Sequence, residues 1–329
     1  MAGKMFSAYL CTLCILATLL FSPALQAHSK PNHKLITQES IKALSKCKIK
    51  NNISQAQLDE LVKVNLAQDK LLNKAVLWHF PMPMAGSGNP VPDKKRAIGY
   101  GKIVVDTTFD RWVAYLEDQA IKEKTFTARI PAIGAMLHYV QDLASPAHAV
   151  PIFHPSKIAN PDHFDSWDSF KRKGSALDID YQKICAELAA AKLKQVQDLL
   201  TEVRVRTLTS LKEKHSQHCQ PSKATCDWTL FWPTEIIDHG FGHYGCDGED
   251  KFGSENKFEC NGTTYDIPKT TYTAFATARL TDAISASARL IVHFMKMEPG
   301  NRHPCMGNNW EPEKAQLECL KNITADNVL

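Results

Sequence analysis

Residues 129–148, RIPAIGAMLHYVQDLASPAH, decide how this chain is to be read. Their apolar residues recur at helical spacing, which predicts a helix over roughly 129–145. His138 and Asp142 are four residues apart, so they project from one helix face a turn from each other. Pro146 removes a backbone donor and bends the helix; without that bend His148 would point well away from the other two. Imidazole nitrogen and carboxylate oxygen are the donors zinc takes where thiols are absent. One histidine on such a helix reads as a satisfied core polar group. Two, with an aspartate at this spacing, read as a metal site.

Working outward, the helical pattern recurs nearly throughout. Residues 34–46 carry it, and 54–77 continue with Leu58, Leu61, Val62, Val64, Leu66, Leu71, Leu72, Val76 and Leu77. A turn-rich break, PMPMAGSGNPVP at 81–92, interrupts it before further helices over 108–122, 178–213 and 272–297. Residues 214–270 differ, with Gly, Cys, Asn and Pro and little period, and read as a disulfide-pinned loop excursion or a small subdomain. No repeat and no convincing run of alternating strands stands out. The expected fold is all-α, a single multi-helix domain over 28–329 with 214–270 as its loop-rich segment.

The N-terminus bears on compartment. Lys4 precedes an apolar stretch to about Leu25, closed by Ala24-Leu25-Gln26-Ala27. That order predicts a secretory signal peptide over 1–27, with an uncleaved membrane anchor as the alternative. The expected location is secreted or periplasmic. Losing Lys4 would lower the formal charge from +4 by one, too small an excess to argue for nucleic acid or an anionic membrane surface as partner. Cys11 and Cys14 would leave with the leader. The remaining cysteines fall into neighbouring couples 219/226, 246/260 and 305/319, which leaves Cys47 and Cys185 to each other. An even number in an exported chain argues for disulfides, and the spacing is not the paired CxxC of a structural zinc site.

The H-x3-D-x5-H pattern at His138, Asp142 and His148 resembles the core of the zinc-dependent phospholipases C and the S1/P1-type nucleases that share their fold. The resemblance implies further ligands. His33, in Asn32-His33-Lys34-Leu35-Ile36-Thr37, matches a ligand histidine lying just before a helix near the mature N-terminus. In that family the amine and carbonyl of the first mature residue also bind zinc. In the nucleases this residue is a tryptophan five positions before the histidine; cleavage after Ala27 would put His28 there instead. His79, in Trp78-His79-Phe80-Pro81, resembles a ligand at a helix end. Asp69 is the best candidate for a preceding aspartate that ligates metal or acts as general base toward water. Downstream, Asp165 in Phe164-Asp165-Ser166-Trp167 matches a carboxylate ligand, with Asp168 as the alternative. The histidine usually four residues earlier is replaced by Pro161, so His154 and His163 compete for the role, and His154 is preferred.

Carried over, the resemblance implies three zinc ions. One takes His79, His138 and Asp142; Asp142 bridges to a second held by His28 and His33; the third takes His148, His154 or His163, and Asp165. The implied activity is a phospholipase C, splitting a glycerophospholipid such as phosphatidylcholine into diacylglycerol and a phosphorylated head group. Its substrate would be met at a membrane surface without stable insertion. A single-strand nuclease of the S1/P1 type is the alternative, the one reading in which nucleic acid is a partner. A non-catalytic zinc-binding exported module is a third. His215, His218, His239, His243, His293 and His303 match nothing in the pattern.

Overall fold

The computed structural model describes residues 30–69, 97–100, 103–106, 109–150, 152, 162, 164, 178–190, 193–213, 227–234, 244–245, 257–260 and 262–298. In chain order these form α1 (Lys30–Lys46), α2 (Gln55–Ala67), β1 (Ala97–Tyr100), β2 (Ile103–Asp106), α3 (Phe109–Lys122) and α4 (Phe126–Asp142). There follow α5 (Pro146–Ala149), α6 (Tyr181–Ala190), α7 (Val196–Leu211), a 3-10 turn (Trp228–Leu230), β3 (Lys257–Cys260), β4 (Thr263–Asp266) and α8 (Lys269–Lys296). The described residues are mostly helical, as expected.

Helix α4 is the axis of the bundle. Apart from Pro131, every residue from Arg129 to Asp142 is buried, and the helix packs against α2, α3 and α8. A helix covered on all sides has no wet face on which to place charge, so His138 and Asp142 must be satisfied inside the protein. The main core joins Ile133, Met136, Leu137 and Val140 of α4 to Ile36 and Leu44 of α1, Leu61 of α2 and Ile284 and Ile291 of α8. Gly134 sets how closely α2 approaches: a Cβ there would stand 2.9 Å from Val64 Cβ and 3.0 Å from the Leu61 carbonyl oxygen. One turn further along both helices, Asn65 meets His138.

Local chemistry sets the helix ends. Ser54 and Gln57 form a reciprocal capping box that starts α2. Thr125 accepts the Ala128 N–H at 3.2 Å, so α4 begins at Phe126, before its apolar pattern does. Helix α1 begins at Lys30, which corrects the expectation that His33 precedes a helix: it lies in the first turn. The stretch 178–213 is two helices, not one, parted at 193–195. Pro146 does not bend one continuous helix: α4 stops at Asp142, and Pro146 opens the separate turn α5 in the first helical position that proline favours.

The two hairpins were not expected. Ala97 pairs with Asp106 through Tyr100 with Ile103, and Lys257 with Asp266 through Cys260 with Thr263, both antiparallel. Each strand has four residues, too few for alternation to show against a helical background. The second hairpin falls inside the segment expected to be loop-rich.

A smaller, aromatic cluster lies beside the main core. Trp228, Phe231, Trp232, Tyr272 and Phe275 pack with Phe164 and with Ala147 and Val150 from the α5 turn. Asp162 ties it together, accepting from Phe164 N at 2.8 Å, Trp232 Nε1 at 3.0 Å and Tyr244 Oη at 2.8 Å. A disulfide joins Cys47, just past α1, to Cys185 of α6. The remaining expected couples include residues outside those described.

Glu117 of α3 is buried against the start of α7, where its Oε1 accepts the Val196 N–H at 3.0 Å. Burial pushes its pKa up to about 7; the backbone N–H works against this, and the charge of Asp198 adds to it. A carboxyl raised above its unfolded value contributes stability below the unfolded pKa and loses it as pH rises through the folded one. At ~1.4 kcal/mol per pH unit, the loss between about pH 4 and pH 8 is on the order of 3 kcal/mol. Urea unfolding across that range should show the wild type losing this much relative to Glu117→Gln. Parallel pH profiles for the two proteins would mean Glu117 is ionised in the folded state.

Candidate metal centre

Four stretches of chain deliver the site. The first turn of α1 supplies His33, the residues just past α2 supply Asp69, and the last turns of α4 supply His138 and Asp142. His148 joins from α5. All five are buried, none more than 2 % exposed. His33, Asp69 and His138 each offer one donor atom within 4.8 Å of the other two, and these three could hold a metal ion.

Asp142 lies among three histidines. Its Oδ1 is 3.4 Å from His33 Nε2, and its Oδ2 is 3.4 Å from His138 Nε2 and 3.8 Å from His148 Nδ1. The His33 and His138 rings stack, centroids 4.1 Å apart and 21° from parallel. Charge-assisted hydrogen bonds between nitrogen and oxygen run about 2.7–2.9 Å, shorter than these separations. Two donors each about 2.0–2.1 Å from one tetrahedral zinc ion stand roughly 3.4 Å apart. The spacing and the donor set, imidazole and carboxylate with no thiol, are ones that a shared cation would take.

The electrostatics agree. Burial pushes the His33 pKa down, but the hydrogen bond and charge of Asp142, then the charge of Asp69, outweigh it and leave the value raised. The carboxylate charges that raise it would also attract a metal cation, which that proton would have to leave to admit. Tyr139, also buried, is kept firmly as the neutral phenol, by burial first and by Asp142 second. Its hydroxyl donates to Gln68 Oε1 at 3.1 Å.

Behind the ligand atoms runs an uncharged network. His33 Nδ1 lies 2.7 Å from Gln141 Oε1, and His138 Nδ1 lies 3.2 Å from Asn65 Oδ1. Asn65 Nδ2 donates to Gln141 Oε1 at 3.0 Å and to Thr37 Oγ1 at 3.1 Å. Gln141 Nε2 donates to Thr37 Oγ1 at 3.1 Å and to Ser287 Oγ at 3.3 Å. Sequence reasoning missed Thr37, Asn65 and Gln141. The available signal was helix arithmetic: Thr37 is one turn after His33, and Gln141 is three residues after His138, each near its ligand's own face.

Of the residues expected at the site, the structure brings together His33, Asp69, His138, Asp142 and His148. Its grouping differs from the expected one in setting His33, His138 and Asp69 around a common point. His28, His79, His154, His163, Asp165 and Asp168 lie outside the described residues, though Asp162 and Phe164, which flank His163, are anchored in the aromatic cluster. Comparison with protein-family models, curated proteins and solved structures finds no match for this chain.

Proposed function

We propose that this chain is an exported zinc-dependent phosphodiesterase, a phospholipase C acting on a glycerophospholipid such as phosphatidylcholine. The observation that carries the reading is Asp142, with each carboxylate oxygen 3.4 Å from the Nε2 of a different buried histidine. Imidazole nitrogens gathered on one buried carboxylate, with no thiol, are a donor set that zinc would take. Zinc bound there would neutralise phosphate oxygens, lower the pKa of a bound water toward ~7 and steady the leaving oxygen.

The chain's own residues do the rest. His33 and His138 present nitrogen donors, and Asp142 holds them a fixed distance apart. Asp69, buried within ligand distance of both histidines, is the group to orient the attacking water and accept its proton at a carboxylate oxygen. His148, on the turn that packs through Ala147 and Val150 against the aromatic cluster, would add a further nitrogen donor. A disulfide between Cys47 and Cys185 suits an oxidising compartment. Among the described residues no helix is long and apolar enough to cross a membrane.

The test is a pair of assays on purified, processed protein, one with phosphatidylcholine dispersions and one with single-stranded DNA, each with and without chelator. Release of phosphocholine that chelator abolishes and zinc restores is the expected result. Cleavage of DNA alone would replace the phospholipase with a nuclease, and bound zinc without either activity would leave a storage or binding module.

A further inference from the structure

We infer that Thr37 is a positioning residue: its hydroxyl decides which nitrogen of His33 and of His138 is left to bind a cation. This rests on the metal-centre reading above but not on the phosphodiester as substrate.

The argument follows the hydrogen bonds outward from one proton. Thr37 Oγ1 donates to the His33 carbonyl oxygen at 2.9 Å, and a carbonyl can only accept. The single hydroxyl proton is thereby committed, so Thr37 Oγ1 meets its other neighbours as an acceptor. Two side-chain amides approach it at 3.1 Å, from Asn65 and from Gln141, and each must turn its NH2 toward it. That choice turns both amide oxygens the other way, onto His138 Nδ1 and His33 Nδ1. An amide oxygen also only accepts, so each Nδ1 must carry a proton. The bond from Asn65 Nδ2 to Gln141 Oε1 agrees with both orientations. Turning either amide alone would set NH2 against NH2 or oxygen against oxygen. In the neutral rings the lone pairs then belong to the two Nε2 atoms, the nitrogens that face Asp142. One buried hydroxyl, anchored to α1's own backbone, thus sets the tautomer of two histidines on different helices.

A hydroxyl that served only to fill space would be replaced by valine without consequence for the histidine nitrogens. The experiment uses the full processed chain as wild type, Thr37→Val and Thr37→Ser. Zinc affinity is measured by chelator competition, and the ring nitrogens are read by two-bond proton–nitrogen correlation. The spectra are taken on zinc-loaded protein and on metal-free protein at a pH where the imidazoles are neutral. In the wild type both histidines should show Nδ1–H, with zinc, when present, on Nε2. Thr37→Val should bind zinc about 10–100-fold more weakly, the usual cost of losing a partner behind a ligand, while Thr37→Ser should stay within about threefold of wild type. Either histidine found with its proton on Nε2 in the wild type overturns the inference, as does Thr37→Val binding zinc like wild type. If Thr37→Val does not fold, the wild-type spectrum alone decides. A protein without phosphodiesterase activity that still shows two Nδ1–H imidazoles would sink the proposed function and keep this inference.

Discussion

Asp142→Asn should abolish the phosphodiesterase activity proposed above while leaving the helical fold in place. The substitution preserves shape and removes the negative charge of Asp142, near which His33, His138 and His148 converge. It also sets an NH2 against one of those nitrogens, which then accepts a hydrogen bond where it would have bound a cation. Loss of a partner behind a ligand costs about 10–100-fold in metal affinity or activity, so loss of the carboxylate charge itself should cost more than ~100-fold. Zinc should raise the melting temperature of the wild type and not of the variant, since only binding to the folded state stabilises it. Turnover near normal in Asp142→Asn would remove Asp142 from the site.

The disulfide carries the next largest effect. Cys47 and Cys185 are 138 residues apart, and closing a loop of that length removes about 5 kcal/mol of chain entropy from the unfolded state. Measured disulfides contribute about 2–4 kcal/mol, so the Cys47→Ser, Cys185→Ser double variant should lose roughly 3–5 kcal/mol of unfolding free energy. Urea unfolding of the wild type and the double variant, both without reductant, checks this. A difference under about 1 kcal/mol would mean the helix contacts alone hold α1 to α6, with the unfolded state already compact enough for the link to matter little.

How far the sequence could be read depended on whether a signal was local. His138 and Asp142 were legible because four residues is one helical turn, and the structure sets them 3.4 Å apart. Cys47 and Cys185 were legible because, with Cys11 and Cys14 set aside, the other cysteines were expected to pair with near neighbours. His33 and Asp69 entered only through the order of ligands in a resembling family, since no local pattern links either to α4. Thr37, Asn65 and Gln141 were invisible for a different reason. An uncharged polar residue on a predicted helix looks like part of a wet face until the packing of α1, α2 and α4 closes over it. The hairpins escaped because strands of four residues have no period to detect. Helix ends moved where a cap overrode the apolar pattern, as Thr125 does for α4.

The break between α4 and α5 has an evolutionary consequence. His138 and Asp142 are held by the main core, whereas the turn that bears His148 is seated, through Ala147 and Val150, on the aromatic cluster of Trp228, Phe231 and Trp232. The site therefore straddles two separately packed bodies of side chains that meet at Leu143–Pro146. Substitutions can accumulate in one body without disturbing the ligands anchored in the other, provided this elbow keeps its shape. The His33–His138 pair and the His148 side can thus drift at different rates. Change on the aromatic side leaves the α1–α4 histidine pair intact.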